Sequence, residues 1–103
     1  MVRDIQQEIK NAIASYPVIL FMKGSKQMPL CGFSARVVDV LCRFAIDFET
    51  RDVLKDDLLR QGIKDYSNWP TLPQLYIQGK FIGGCDIVME LYANGKLQEL
   101  LGG

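Results

Sequence analysis

Five consecutive apolar residues, Val18-Ile19-Leu20-Phe21-Met22, lie between Pro17 and Lys23-Gly24 and set the strongest limit on the fold. The run is strand length, and its lack of polar alternation predicts a central strand buried on both faces. Such a strand needs a layer of helices packed on each side of its sheet.

The flanking pattern supplies those layers. Ile5, Ile9, Ala12 and Ile13 recur at helical spacing, with Asp4 in the first turn, where negative charge suits the helix dipole, and the pattern stops near Ser15. Phe33, Val37, Val38, Leu41 and Phe44 predict a second helix from Gly32 onward, and Phe48–Val53 reads as a more polar edge strand. Asp56 and Asp57 stand where helix caps belong, ahead of the apolar face of Leu58, Leu59 and Ile63. Pro70 and Pro73 exclude regular helix between Asn68 and Pro73. Gln74–Gln78, a Gly79-Lys80 turn and Phe81-Ile82 then predict a hairpin ended by Gly83-Gly84. Ile87, Val88 and Leu91 mark a further helix stopped by Gly95, and Leu97–Leu101 a last short one. The predicted order, α-β-α-β-α-β-β-α-α, joins a βαβ half to a ββα half in one domain over residues 1–103. This is an α/β chain with a four-stranded mixed sheet flanked by about five helices, the thioredoxin-like fold.

Charge and cysteine content narrow the function classes. Twelve basic and twelve acidic residues balance to zero, which argues against broad nucleic-acid or anionic-membrane binding, although a local basic pocket stays open. No apolar run approaches the roughly 20 residues of a membrane span. Three cysteines, Cys31, Cys42 and Cys85, are an odd number at irregular spacing and do not form a secreted disulfide framework. With no histidine, structural zinc falls a ligand short and Cys–His or Ser–His nucleophile pairs are excluded. Met1–Lys10 has no signal-peptide core, so a reducing compartment is expected: the bacterial cytoplasm or, for a processed form, the mitochondrial matrix.

Cys31 falls between the buried strand and the start of an amphipathic helix, where a helix N-terminus and a nearby lysine, Lys23, lower a thiol pKa toward neutrality. Three residues on, where a C-x-x-C redox pair would place its second thiol, stands Ser34. A serine hydroxyl hydrogen-bonds a thiolate but cannot resolve a mixed disulfide, so exchange must recruit another thiol. An activated cysteine without a resolver is a poor dithiol reductase and a good single ligand. Cys42, on the second helix, reads as core or surface filler.

Four blocks, Lys23-Gly24, Cys31-Gly32-Phe33-Ser34, Trp69-Pro70-Thr71-Leu72-Pro73-Gln74 and Gly83-Gly84-Cys85-Asp86, together resemble the monothiol, CGFS-type glutaredoxins from about Ile5 to Leu101. The resemblance implies a glutathione site built around a cis peptide bond before Pro73. There the Leu72 backbone pairs with the tripeptide like an added strand. Gly83-Gly84 permits close approach, and the helix start at Cys85-Asp86 offers N–H groups to a carboxylate. Asp86 meets the γ-glutamyl ammonium, while Lys23 and Arg60 face the glycyl carboxylate. Singly, these residues also read as a strand terminator, a helix cap, a strand-end solubiliser and a solvated helix residue; their agreement across four blocks is what assigns them. Trp69 is expected to serve packing and loop shape, and Phe33 to pack beside the thiol.

A [2Fe–2S] cluster takes four thiolates. Cys31 and one bound glutathione supply two, so the resemblance implies a monomer when apo and a homodimer when cluster-bound, with the cluster passed on to iron–sulfur acceptor proteins. The Ser25–Leu30 loop, by the same similarity, disfavours deglutathionylation, and Met28, Pro29 and Leu30 either pack across the dimer or within the loop. The resemblance also implies a BolA-like partner and, in some members, pairing of Cys85 with the active thiol under oxidation. The alternative is a glutathione-dependent thiol–disulfide oxidoreductase, at most a weak one.

Overall fold

The computed structural model describes residues 2–102; Met1 and Gly103, the ends of the expected domain, lie outside them. Helix α1 (Ile5–Ser15) starts at Asp4, which is the N-cap and not a first-turn residue: its carboxylate accepts the Gln7 N–H at 3.1 Å. Strand β1 (Val18–Met22) is buried along its whole length, as its composition requires. Next come α2 (Gly32–Cys42), β2 (Glu49–Asp52), a 3-10 turn (Val53–Lys55) and α3 (Asp57–Ser67). The hairpin β3 (Gln74–Ile77) and β4 (Lys80–Gly83) leads to α4 (Cys85–Ala93) and α5 (Lys96–Leu100).

The sheet order is β2-β1-β3-β4, with β1 parallel to β2 and antiparallel to β3. Alternation along β1 divides the core. Val18, Leu20 and Met22 pack with Val37, Leu41, Val88 and Leu97 beneath α2, α4 and α5. Ile19 and Phe21 pack with Ile9, Ile13, Ile63 and Tyr76 beneath α1 and α3. Gly62 lets those two helices approach, since a Cβ there would stand 2.9 Å from Ile5 Cγ1.

Most departures from the sequence reading fall at element ends. Phe44 lies beyond α2, Phe48 precedes β2, and Gln78 leaves β3 for the turn with φ +52°. Val53 belongs to the 3-10 turn because the Asp52 carboxylate caps the Leu54 N–H at 2.9 Å and ends the strand. Gly95 follows the α4 C-cap Asn94 with φ +81°, the left-handed stop expected of it, and is at the same time the N-cap of α5.

Candidate functional site

Cys31 is the N-cap of α2, with extended backbone and a carbonyl that accepts the Ala35 N–H at 2.9 Å. Its partly exposed thiol makes no capping hydrogen bond, yet the N–H groups at the helix start act on it at longer range. They hold it below the ordinary value of 9.0: the Ser34 N–H contributes most, with the Phe33 N–H, the Lys23 charge and the Ser34 hydroxyl adding to it and partial burial opposing. Cys85, at the first position of α4, is buried and pushed the other way by that burial, against the influence of Arg36. Both are free thiols, as is Cys42, which is exposed on α2.

Opposite shifts give a measurable order. With Cys42 replaced by serine, iodoacetamide followed by mass spectrometry should label Cys31 through a step centred below 9.0. Cys85 should follow at higher pH, since burial disfavours its thiolate. Coincident profiles would contradict the assigned environments.

Ser34 is completely buried. Its Oγ accepts the Lys23 N–H at 3.2 Å, tying the end of β1 to the first turn of α2. The hydroxyl proton is thereby left to act on the thiol, consistent with its contribution to the lowered pKa.

The loop ahead of Cys31 folds back on itself. Leu30 N–H donates to the Lys23 carbonyl at 2.9 Å, Ser25 and Met28 exchange backbone hydrogen bonds, and Gly24 bridges Pro29. Met28 and Leu30 are 67% and 61% exposed, and the Leu30 side chain lies over Gly24 within the loop. Phe33 is likewise 56% exposed, and it lines the same cleft as Cys31.

On the other side runs the Trp69–Pro73 segment, with a cis Leu72-Pro73 bond as expected. Gln74 shapes it from below. This fully buried side chain donates to the carbonyls of Trp69 and Thr71, at 3.3 and 3.2 Å, and accepts from the Tyr76 hydroxyl. The Leu72 N–H and C=O have no hydrogen-bond partner among the described residues.

Two clefts adjoin here and share Phe33, Thr71 and Leu72. One, of about 290 Å³, is lined by Lys23, Cys31, Lys64 and Pro70 besides. The other, of about 220 Å³, reaches Trp69, Pro73, Gly84, Cys85 and Asp86. Sequence reasoning had marked Lys23, Cys31, Leu72, Pro73, Gly84, Cys85 and Asp86, and the fold brings all seven to these clefts. Arg60 lines neither; it sits half-buried on α3 one turn before Lys64, on the same helix face. Lys64 and Gln74 were missed as site residues. The i, i+4 relation to Arg60 was the available signal for Lys64, whereas nothing in the sequence marks Gln74 as a loop support.

Among the described residues no three Cys, Asp or Glu side chains converge as a metal-holding group. None of the described helices is long and apolar enough to cross a membrane.

The family model described as Glutaredoxin matches residues 18–82. A Synechocystis protein named as an uncharacterized monothiol glutaredoxin ycf64-like is 54% identical over 98 residues, 95% of this chain and 92% of that protein. The solution structure of reduced poplar apo GrxS14 superposes with a TM-score of 0.84 at 49% identity, over 95% of this chain and 90% of that one. A crystal structure of a buckwheat glutaredoxin–glutathione complex gives 0.85 at 28% identity, over 95% and 87%.

Proposed function

The chain belongs to the glutaredoxin family, in its monothiol branch, and from that premise we propose that it binds glutathione, holds a [2Fe–2S] cluster between two copies and delivers it to acceptor proteins. The observation that carries this reading is the state of Cys31. Its thiol is activated, partly exposed and open to a cleft, while the place of a resolving thiol is taken by a buried serine already bonded to the Lys23 backbone.

Glutathione suits the paired clefts in size and charge. Lys23 and Lys64 supply positive charge for the glycyl carboxylate at one end, with Arg60 outside the cleft one turn before Lys64 on α3. The unpaired Leu72 N–H and C=O, beside Pro73, bind the peptide backbone as an added strand. At the other end Gly84 permits close approach, the Cys85 N–H at the start of α4 donates to the γ-glutamyl carboxylate, and Asp86 takes its ammonium. This arrangement brings the glutathione sulfur beside Cys31.

One protomer and its glutathione thus provide two thiolates, and a four-thiolate cluster requires a second copy of each. The exposed Met28 and Leu30 of the preceding loop and Phe33 at the cleft are apolar surface that such a dimer would cover. With two of its four ligands exchangeable, the cluster is cargo suited to transfer. A BolA-like protein is a further proposed partner of the same face, and a reducing compartment is the proposed setting. The lowered Cys31 pKa also favours a second reading, thiol–disulfide exchange with glutathionylated proteins: Cys31 thiolate displaces the target thiolate and a second glutathione releases Cys31, because Ser34 cannot.

Anaerobic reconstitution with iron, sulfide and glutathione distinguishes them. A coloured dimer that needs added glutathione supports cluster carriage. A colourless monomer that efficiently reduces glutathione mixed disulfides would replace it with the exchange activity.

A further inference from the structure

We infer that Asp52, at the end of the edge strand β2, is a positioning residue that moors the Lys23–Leu30 loop and thereby sets the geometry of the Cys31 site. One carboxylate oxygen, Asp52 Oδ1, accepts two backbone N–H groups: Leu54 at 2.9 Å, in its own 3-10 turn, and Gly24 at 3.0 Å, 28 residues away in the loop. Local capping needs only the first of these bonds. The second spans from β2 to the start of the loop, and Asp52 is register partner to Met22, the last residue of β1.

The loop's internal bonds make that mooring consequential. Leu30 N–H closes onto the Lys23 carbonyl, and Ser25 and Met28 bond each other, so residues 24–30 form one folded unit. That unit meets the rest of the protein at Gly24 and at Lys26, whose ammonium donates to the Phe48 carbonyl at 2.7 Å and lies 4.0 Å over the Phe48 ring. Both anchors stand at the two ends of β2. An edge strand that contributes no residue to either cleft therefore holds the loop that carries Lys23 at one end and Cys31 at the other. A carboxylate accepting backbone N–H groups makes stronger bonds than a neutral acceptor, which suits a single atom holding two segments.

The inference rests on the proposed function only for the ligand used to read it. Full-length apo protein is titrated with reduced glutathione by NMR, and amide hydrogen exchange is followed across residues 24–30. Asp52→Ala is expected to weaken glutathione binding on the order of tenfold and to expose the Gly24 and Leu30 amides to exchange. Asp52→Asn, which keeps an acceptor oxygen, should restore most of both. Asp4→Ala removes the corresponding cap of α1 with no bond to the loop, and should lower Tm while leaving both readouts as in the wild type. An Asp52→Ala protein that loses Tm but keeps its affinity and loop protection would overturn the inference and reduce Asp52 to a cap. Asp52→Ser guards against misfolding, since its hydroxyl still caps the turn but is shorter toward Gly24. Weakened binding at a near-native Tm supports the mooring, and unchanged binding and protection overturn it. Wild-type protein that binds no glutathione would sink the proposed function instead, and the Gly24 exchange arm would still decide on Asp52.

Discussion

Replacing Cys31 by serine is expected to abolish cluster binding and glutathionylation at this site while leaving the fold at least as stable. The chemical loss is complete because a serine hydroxyl stays protonated at neutral pH and is neither a soft ligand for iron nor a sulfur nucleophile. Stability behaves differently because of where the residue sits. Cys31 occupies the N-cap of α2 with extended backbone and supplies no side-chain bond to that helix. Serine is among the preferred N-cap residues, and a formed cap contributes about 1 kcal/mol. Thermal unfolding should therefore show Tm unchanged or raised, alongside absent cluster absorbance after reconstitution. Retention of a glutathione-dependent cluster by Cys31→Ser would eliminate Cys31 as the ligand and the proposed function with it.

Gly24→Ala is expected to be the most destabilising single methyl addition in the active-site loop, by about 3 kcal/mol or more. Gly24 has φ +93°, which an alanine adopts only under strain. The added Cβ would also stand 2.5 Å from both the Leu30 N and the Met28 O, backbone atoms that no rotamer change can move aside. Opening the loop to relieve that contact would break the Leu30–Lys23 hydrogen bond and displace the residue before Cys31. Urea denaturation should show a lower midpoint, with weaker glutathione binding in the same variant. Gly32→Ala is the matched control: its Cβ meets nothing within 4 Å at the first position of α2, and helix propensity predicts a neutral or slightly favourable change. Equal midpoints for the two variants would remove the steric account of the loop.

The position of the thiol was readable before any coordinates because strand, loop and helix patterns bracket Cys31 closely and each uses a different signal. The five buried residues of β1 demanded a central strand, and the spacing of Val37, Val38 and Leu41 demanded a helix after it. Motif resemblance then linked Cys31 to Leu72 and Gly84, which periodicity alone could not have done. What escaped were side chains whose role lies in tertiary hydrogen bonds. Gln74 reads as an ordinary strand residue, yet its amide fastens two carbonyls of the Trp69–Thr71 segment. Asp52 reads as part of an edge strand, yet it ends that strand and holds a loop 28 residues away. Phe33 was expected beside the thiol and does line its cleft, but the sequence did not show that its ring would be more than half exposed.

From sequence alone came the alternation of strands and helices, the monothiol character conferred by Ser34, and the residues that could meet at a glutathione site, because period, proline placement and residue chemistry are local properties. The folded chain decided which charges reach the thiol, how the loop folds back through Gly24, and that Lys64 joins Lys23 and Cys31 at one cleft while Arg60 does not. Those outcomes depend on the rotation of each helix and on hydrogen bonds between distant segments, and both are settled only when the two core layers close on β1.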